Sequence, residues 1–188
     1  HADCTGELVV IHNGIIENYL ELKELLQGHS YQSETDTEVV AHLIEERLKG
    51  LLASGGLRAP DLTEPLLFEA VRLALNEVRG AYALAVLWSK APGLIIAAKT
   101  ASPLIIGLGE KENFLASDVP AFLSYTRKAV FLEDGEMVAL KANRCTFFNF
   151  AANKIEKVPV QIQWDQKLAE KGGFCHFMLK EIHEQPAS

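Results

Sequence analysis

The chain has 188 residues, 48% of them apolar, with 18 basic and 25 acidic side chains and a formal net charge of −7. So many apolar residues can build a core, which argues against intrinsic disorder, and an acidic chain without basic runs is a poor partner for nucleic-acid phosphates. Cys4, Cys145 and Cys175 are odd in number, far apart and without a CxxC pair, so neither a disulfide framework nor a metal site is expected, and no apolar run is long enough to span a membrane.

Free thiols suit a reducing compartment, and a cytoplasmic location is expected. Residues Leu8 to Ile11 have the pattern of a short buried strand, and Asn13-Gly14 after them is a strong two-residue turn signal. Tyr19, Leu22, Leu25 and Leu26 fall on one helical face, with Gly28 as a stop. Thr35-Asp36-Thr37-Glu38 reads as a capping box, Thr35 being the N-cap and Glu38 reaching back, ahead of a stripe of Val39, Val40, Leu43, Ile44 and Leu48. Leu51 to Pro60 reads as a loop, and the spacing of Leu67, Val71, Ala74, Leu75 and Val78 predicts a third helix from about Thr63 to Val78, ended by Arg79-Gly80.

Beyond Gly80 the texture changes. Short apolar runs (AYALAVLW, LIIAAK, LIIGLG, NFLAS, AVFLE, MVAL, CTFFNF) alternate with turn signals, as in antiparallel sheets, and their two-sided hydrophobicity suggests sheets covered on both faces. Gly107-Leu108-Gly109 is a weak phosphate signal without GxGxxG and reads as part of a hairpin. Helices first and strands later point to an α+β fold. The polar stretch from Gln161 to Ser188 ends in a helical pattern in which Phe174, Phe177, Met178 and Ile182 share a face and Pro186 is the stop.

Few residues stand out chemically. Asn13 and Gly14 form a turn by local signal, but an amide side chain beside an unhindered glycine N–H is also a pair of donors suited to an oxyanion hole. Asp36 favours the helix dipole, and it sits four residues before Val40 and seven before Leu43, so its carboxylate comes to the lip of a buried face where it could hold an ammonium group. His12, His29, His42, His176 and His183 share no metal-ligand spacing, and Cys4 has no base adjacent in sequence.

The ordered segments HNGIIENY, SETDTEVVAHLI, RGAYALAV, SPLIIGLGEKENFLASD and KEIHEQP together resemble the glutamine amidotransferase domain of the glutamine–fructose-6-phosphate aminotransferase family, over nearly the whole chain. The resemblance implies an N-terminal-nucleophile hydrolase fold, an α/β/β/α sandwich of stacked antiparallel sheets. It implies hydrolysis of glutamine to glutamate and ammonia, and a downstream sugar-isomerase domain that uses the ammonia to make glucosamine 6-phosphate. It places the oxyanion hole at Asn13 and Gly14 and the acid that holds the substrate ammonium at Asp36. No cofactor or metal is implied. The partners it implies are glutamine and the isomerase domain of the same chain, within a homo-oligomer.

The family's nucleophile is a cysteine that opens the mature chain, with its own α-amine as base, whereas this chain opens on His1. The expectation is therefore an amidotransferase domain over residues 1–160, incomplete at its N-terminus, and an exit segment over residues 161–188. Because an oxyanion hole needs an attacking group, this chain alone is expected not to hydrolyse glutamine. Two alternatives share the fold: an amidotransferase of another acceptor class, such as amidophosphoribosyltransferase or asparagine synthetase, and a non-catalytic binding module.

Overall fold

A computed structural model describes residues 1–54, 63–163 and 173–185. The loop expected from Leu51 begins later, because a helix continues through Ala53; the rest of it up to Pro60 and the stop at Pro186 lie outside the described residues, as does much of the polar stretch after Gln161.

Strand β1 spans Leu8–Ile16 and runs straight through Asn13-Gly14, pairing antiparallel with β2 (Gly80–Trp88) from Leu8↔Trp88 to Ile16↔Gly80. The turn expected at Asn13-Gly14 is thus corrected to a strand interior. The chain can stay extended there because Gly14 adopts φ +136° and Gly80, two residues from its partner Tyr82 at the same end of the ladder, adopts φ +140°. Two glycines lacking Cβ let the paired backbones approach where side chains could not.

β2 pairs with β3 (Ile95–Lys99), β3 with β7 (Glu136–Lys141), β7 with β8 (Arg144–Asn149) and β8 with β9 (Lys154–Ile155), all antiparallel, giving a six-stranded sheet with β1 at one edge. A second sheet has the order β10-β6-β4-β5, from β4 (Ile105–Leu108), β5 (Asn113–Ala116), β6 (Lys128–Phe131) and β10 (Val160–Gln161). The expected hairpin at Gly107–Gly109 is the β4–β5 connection.

Period-two alternation sorts the first sheet's side chains into two cores. Leu8, Val10, Ile16, Tyr82, Leu84, Val86 and Ile96 face the helices, while Ala83, Ala85, Ala97, Val138 and Leu140 face the second sheet. The helical layer is α1 (Tyr19–Leu25), α2 (Asp36–Ala53) and α3 (Thr63–Leu75). α2 is buried over most of its length, Val40 and Ile44 completely. The outer face of the second sheet is covered by Val119, Phe122 and Leu123, around a 3-10 turn at Val119–Ala121. The α/β/β layering is as expected, and among the described residues that turn supplies the cover on the far side.

Three local readings change. Thr35 is the N-cap of α2, with extended backbone, but its hydroxyl makes no capping bond. Glu38 instead accepts from the Gln32 and Ser33 N–H groups at 2.6 and 2.7 Å and from the Ser33 hydroxyl, so the acid ties down the incoming loop rather than the helix start. Helix α3 stops at Leu75, short of Val78, because the buried Asn18 side chain donates to Glu77 O and accepts from Arg79 N, both at 2.8 Å. A last helix, α4 (Phe177–Glu184), leaves Phe177, Met178 and Ile182 exposed.

Candidate active site

Antiparallel pairing gives alternate residues of β1 opposite roles. Tyr82, opposite Gly14, accepts from Thr100 N through its carbonyl at 2.8 Å and donates its N–H to Thr100 Oγ1. Its polar backbone groups therefore point away from β1. Gly14 shares the parity of Val10 and Ile16, which also turn their N–H groups to the outer edge of the sheet. Val10 N donates to His1 O at 2.7 Å, and Ile16 N donates to the Asp36 carboxylate at 2.8 Å. Among the described residues nothing occupies the edge between these two positions, and the Gly14 N–H points into it.

Asp36, the first residue of α2, thus closes one end of that opening. Its side chain is 23% exposed, whereas Val40 and Leu43 behind it are buried, so the carboxylate does sit at the lip of the buried face. Its other oxygen accepts from the Thr37 hydroxyl at 3.3 Å. His12 Nδ1 lies 2.8 Å from Thr37 Oγ1, and with that hydroxyl pointing to Asp36 the imidazole N–H is the donor.

Among the described residues His12 Nε2 is buried without a hydrogen-bond partner. Burial pushes the His12 imidazole below the ordinary histidine range, against the opposing pull of Asp36. A neutral His12 at 3.7 Å leaves the negative charge of Asp36 unspent. In the unfolded chain this imidazole takes a proton near pH 6.5 and in the folded chain only below that, so its contribution to stability is complete above about pH 6.5 and is lost as pH falls towards the folded value. Thermal melts should show a lower midpoint at pH 5.5 than at pH 7.5, and His12→Asn, which keeps a donor near Nδ1, should flatten that dependence.

Asn13 lies on the other face of β1. It pairs with Ala83, an inter-sheet residue, whereas His12 pairs with Leu84 on the helix side. Its exposed amide makes no hydrogen bond among the described residues and lines a cavity of about 670 Å³ with Lys99, Leu104, Ser117, Asp118 and Phe131. That volume is within the range of small-molecule sites. Lys99 is buried and ion-paired to Asp134. The fold therefore brings the Gly14 N–H and the Asp36 carboxylate to one sheet edge, while the Asn13 amide faces the inter-sheet cavity, which neither Gly14 nor Asp36 lines.

Residues 1–124 match the glutamine amidotransferase domain family. The chain belongs to that family. Among curated relatives of the amidotransferase, the glutamine–fructose-6-phosphate aminotransferase (isomerizing) of Methanothermobacter thermautotrophicus is 50% identical over 191 residues, covering 100% of this chain and 30% of the relative. That of Thermococcus kodakarensis is 48% identical, covering 98% of this chain and 29% of the relative. The amidotransferase chain thus spans under a third of these relatives. Among solved structures, a glutamine phosphoribosylpyrophosphate amidotransferase from B. subtilis, complexed with ADP and GMP, superposes with a TM-score of 0.58 at 28% identity, over 78% of this chain and 30% of that one. With two stacked antiparallel sheets beneath a helical layer, the amidotransferase has the α+β sandwich expected of N-terminal-nucleophile hydrolases.

One group of residues escaped the sequence. Cys4, His29, His42 and Glu45 come from three separate segments and meet above α2. The reading that Cys4 lacks a base and that the histidines do not cluster is corrected, because long-range folding, not spacing, joins them. The one local signal was His42 and Glu45 at i,i+3 on a helix face.

Proposed function

We propose that this chain provides the amide-binding part of a glutamine-hydrolysing site, with the Asn13 side-chain amide and the Gly14 N–H as oxyanion donors and Asp36 as the acceptor for the substrate ammonium. The observation that carries this is the edge of β1, where, among the described residues, the Gly14 N–H has no acceptor and stands beside a partly exposed carboxylate, with the unpartnered Asn13 amide on the adjacent residue. When a nucleophile attacks the glutamine amide carbon, the carbonyl oxygen becomes an anion, and two preorganised donors stabilise it more than they stabilise the ground state. The Asp36 carboxylate acts on the remote end of the substrate, holding its ammonium so that the amide is presented to the donors.

The acceptor we assign is fructose 6-phosphate. Support comes from the 48–50% identity to two aminotransferases named for it, against 28% for the phosphoribosylpyrophosphate amidotransferase. In this reading residues 1–160 form the glutaminase unit, with β10 (Val160–Gln161) carrying the second sheet one residue past that boundary, and the segment from 161 leads to a sugar-isomerase domain in a cytoplasmic homo-oligomer. Among the described residues no helix is long and apolar enough to cross a membrane.

None of the three cysteines lines the Asn13 cavity. A glutaminase assay should therefore find no ammonia release from the 188-residue chain, and release from a longer polypeptide in which the same chain is joined to an attacking thiol. Thiol-dependent turnover by the chain alone would move the nucleophile to Cys4 and refute the assignment.

A further inference from the structure

The group above α2 has the geometry of a metal centre. Cys4 Sγ lies 3.3 Å from His29 Nδ1 and 3.5 Å from His42 Nδ1, and Glu45 Oε2 lies 3.2 Å and 3.4 Å from the same two nitrogens. All four donor atoms fall within 4.8 Å of one another. Tetrahedral zinc, with bonds of about 2.0–2.3 Å to N, O and S, sets its ligand atoms roughly 3.3–3.6 Å apart, so these contacts are close to the edges of such a tetrahedron.

The surroundings agree. The His29, His42 and Glu45 side chains are at most 6% exposed, and Cys4 is exposed and lines a surface cavity that gives an ion an approach. Each imidazole turns its other nitrogen to a carboxylate, His29 Nε2 to Glu46 at 3.1 Å and His42 Nε2 to Glu38 at 3.6 Å. Carboxylates behind the ligating histidines are the usual outer shell of a zinc site; the Glu46 contact fixes the His29 tautomer that leaves Nδ1 free to bind, while Glu38 faces His42 Nε2 just beyond hydrogen-bond distance. His42 Nε2 is buried without a hydrogen bond of its own. A thiolate and a carboxylate would together cancel the charge of a divalent ion.

We infer that Cys4, His29, His42 and Glu45 bind one Zn²⁺ ion as four protein ligands, in a structural site that pins the loop before β1 and the loop after α1 to α2. Four protein ligands leave no open position for catalysis. By joining the segment that enters β1 to the helix that begins with Asp36, the ion would hold those two elements in register.

Purified chain should retain about one equivalent of zinc. After exchange with Co²⁺ it should show the visible bands of tetrahedral cobalt and a near-ultraviolet sulfur-to-cobalt band. Cys4→Ser should lose the sulfur band and most of the affinity. Cys4→His, which keeps the ligand count, should keep the visible bands without the sulfur band and so separates lost ligation from lost folding. Glu38→Gln should weaken zinc binding about 10- to 100-fold. Iodoacetamide should alkylate Cys4 more slowly with zinc present. Substoichiometric zinc in chain refolded with excess zinc, a cobalt spectrum without the sulfur band, or unchanged affinity in Cys4→Ser would each overturn the site.

Discussion

Gly14→Ala should unfold the chain or cost on the order of 3–5 kcal/mol in denaturant titrations, far more than an ordinary strand substitution. Two effects add. A Cβ at position 14 would fall 2.0 Å from the Ala81 carbonyl oxygen and 2.8 Å from Tyr82 Cα, both backbone atoms that can move only by parting β1 from β2. The backbone at φ +136° also lies where L-residues rarely go. The glycine expected from sequence to leave an N–H unhindered is thus held at least as firmly by the strand beside it. Gly80→Ala should behave alike, since its Cβ would lie 2.1 Å from Ile15 O. Gly135→Ala is a contrast rather than a match: at φ +79°, nearer the left-handed region, and with open space around it, it should cost much less.

In a longer polypeptide with an attacking thiol, Asn13→Ala and Asp36→Asn should damage glutaminase activity in different ways. Removing one oxyanion donor typically lowers kcat about 10²- to 10³-fold, and Asn13→Ala should do so with little change in KM, because the donor acts on charge that develops only in the transition state. Asp36→Asn removes the charge facing a substrate ammonium present in ground state and transition state alike. A charge-assisted hydrogen bond is worth about 1.5–3 kcal/mol, so KM should rise roughly 10- to 100-fold while kcat holds. Because the Asp36 carboxylate also accepts from Ile16 N at 2.8 Å, the variant's melting point separates a loosened strand from a lost ligand contact. Equal effects of both variants on kcat and KM would mean that the two residues do not divide the work this way.

Much of this site could be read in the sequence because its parts are local. The stripe of Val39, Val40, Leu43, Ile44 and Leu48 set α2 against the sheet, and Asp36 one turn ahead had to reach its lip. The alternating runs after Gly80 match β2 to β8, whereas the two-residue strands β9 and β10 are too short to show a pattern. The strand through Asn13-Gly14 was not legible, because an asparagine-glycine pair carries the same local signal in a turn as in a strand whose partner yields with its own glycine, and Gly80 is 66 residues away. Periodicity also found the apolar face of α4 but not its surroundings. Phe177, Met178 and Ile182 are exposed while Lys180 is buried. Of Cys4, His29, His42 and Glu45 only the last two are close in sequence, and the path of the chain over α2 brings the other two to them.

The most direct measurement is an amide-resonance titration of the ¹⁵N-labelled chain with L-glutamine. The Gly14 and Ile16 backbone signals and the Asn13 side-chain signal should shift together along one saturation curve, and Asp36→Asn should weaken that curve while leaving the unliganded spectrum folded. Shifts confined to other parts of the chain, or an unchanged affinity in Asp36→Asn, would contradict the placement of the amide and the ammonium at this edge of β1.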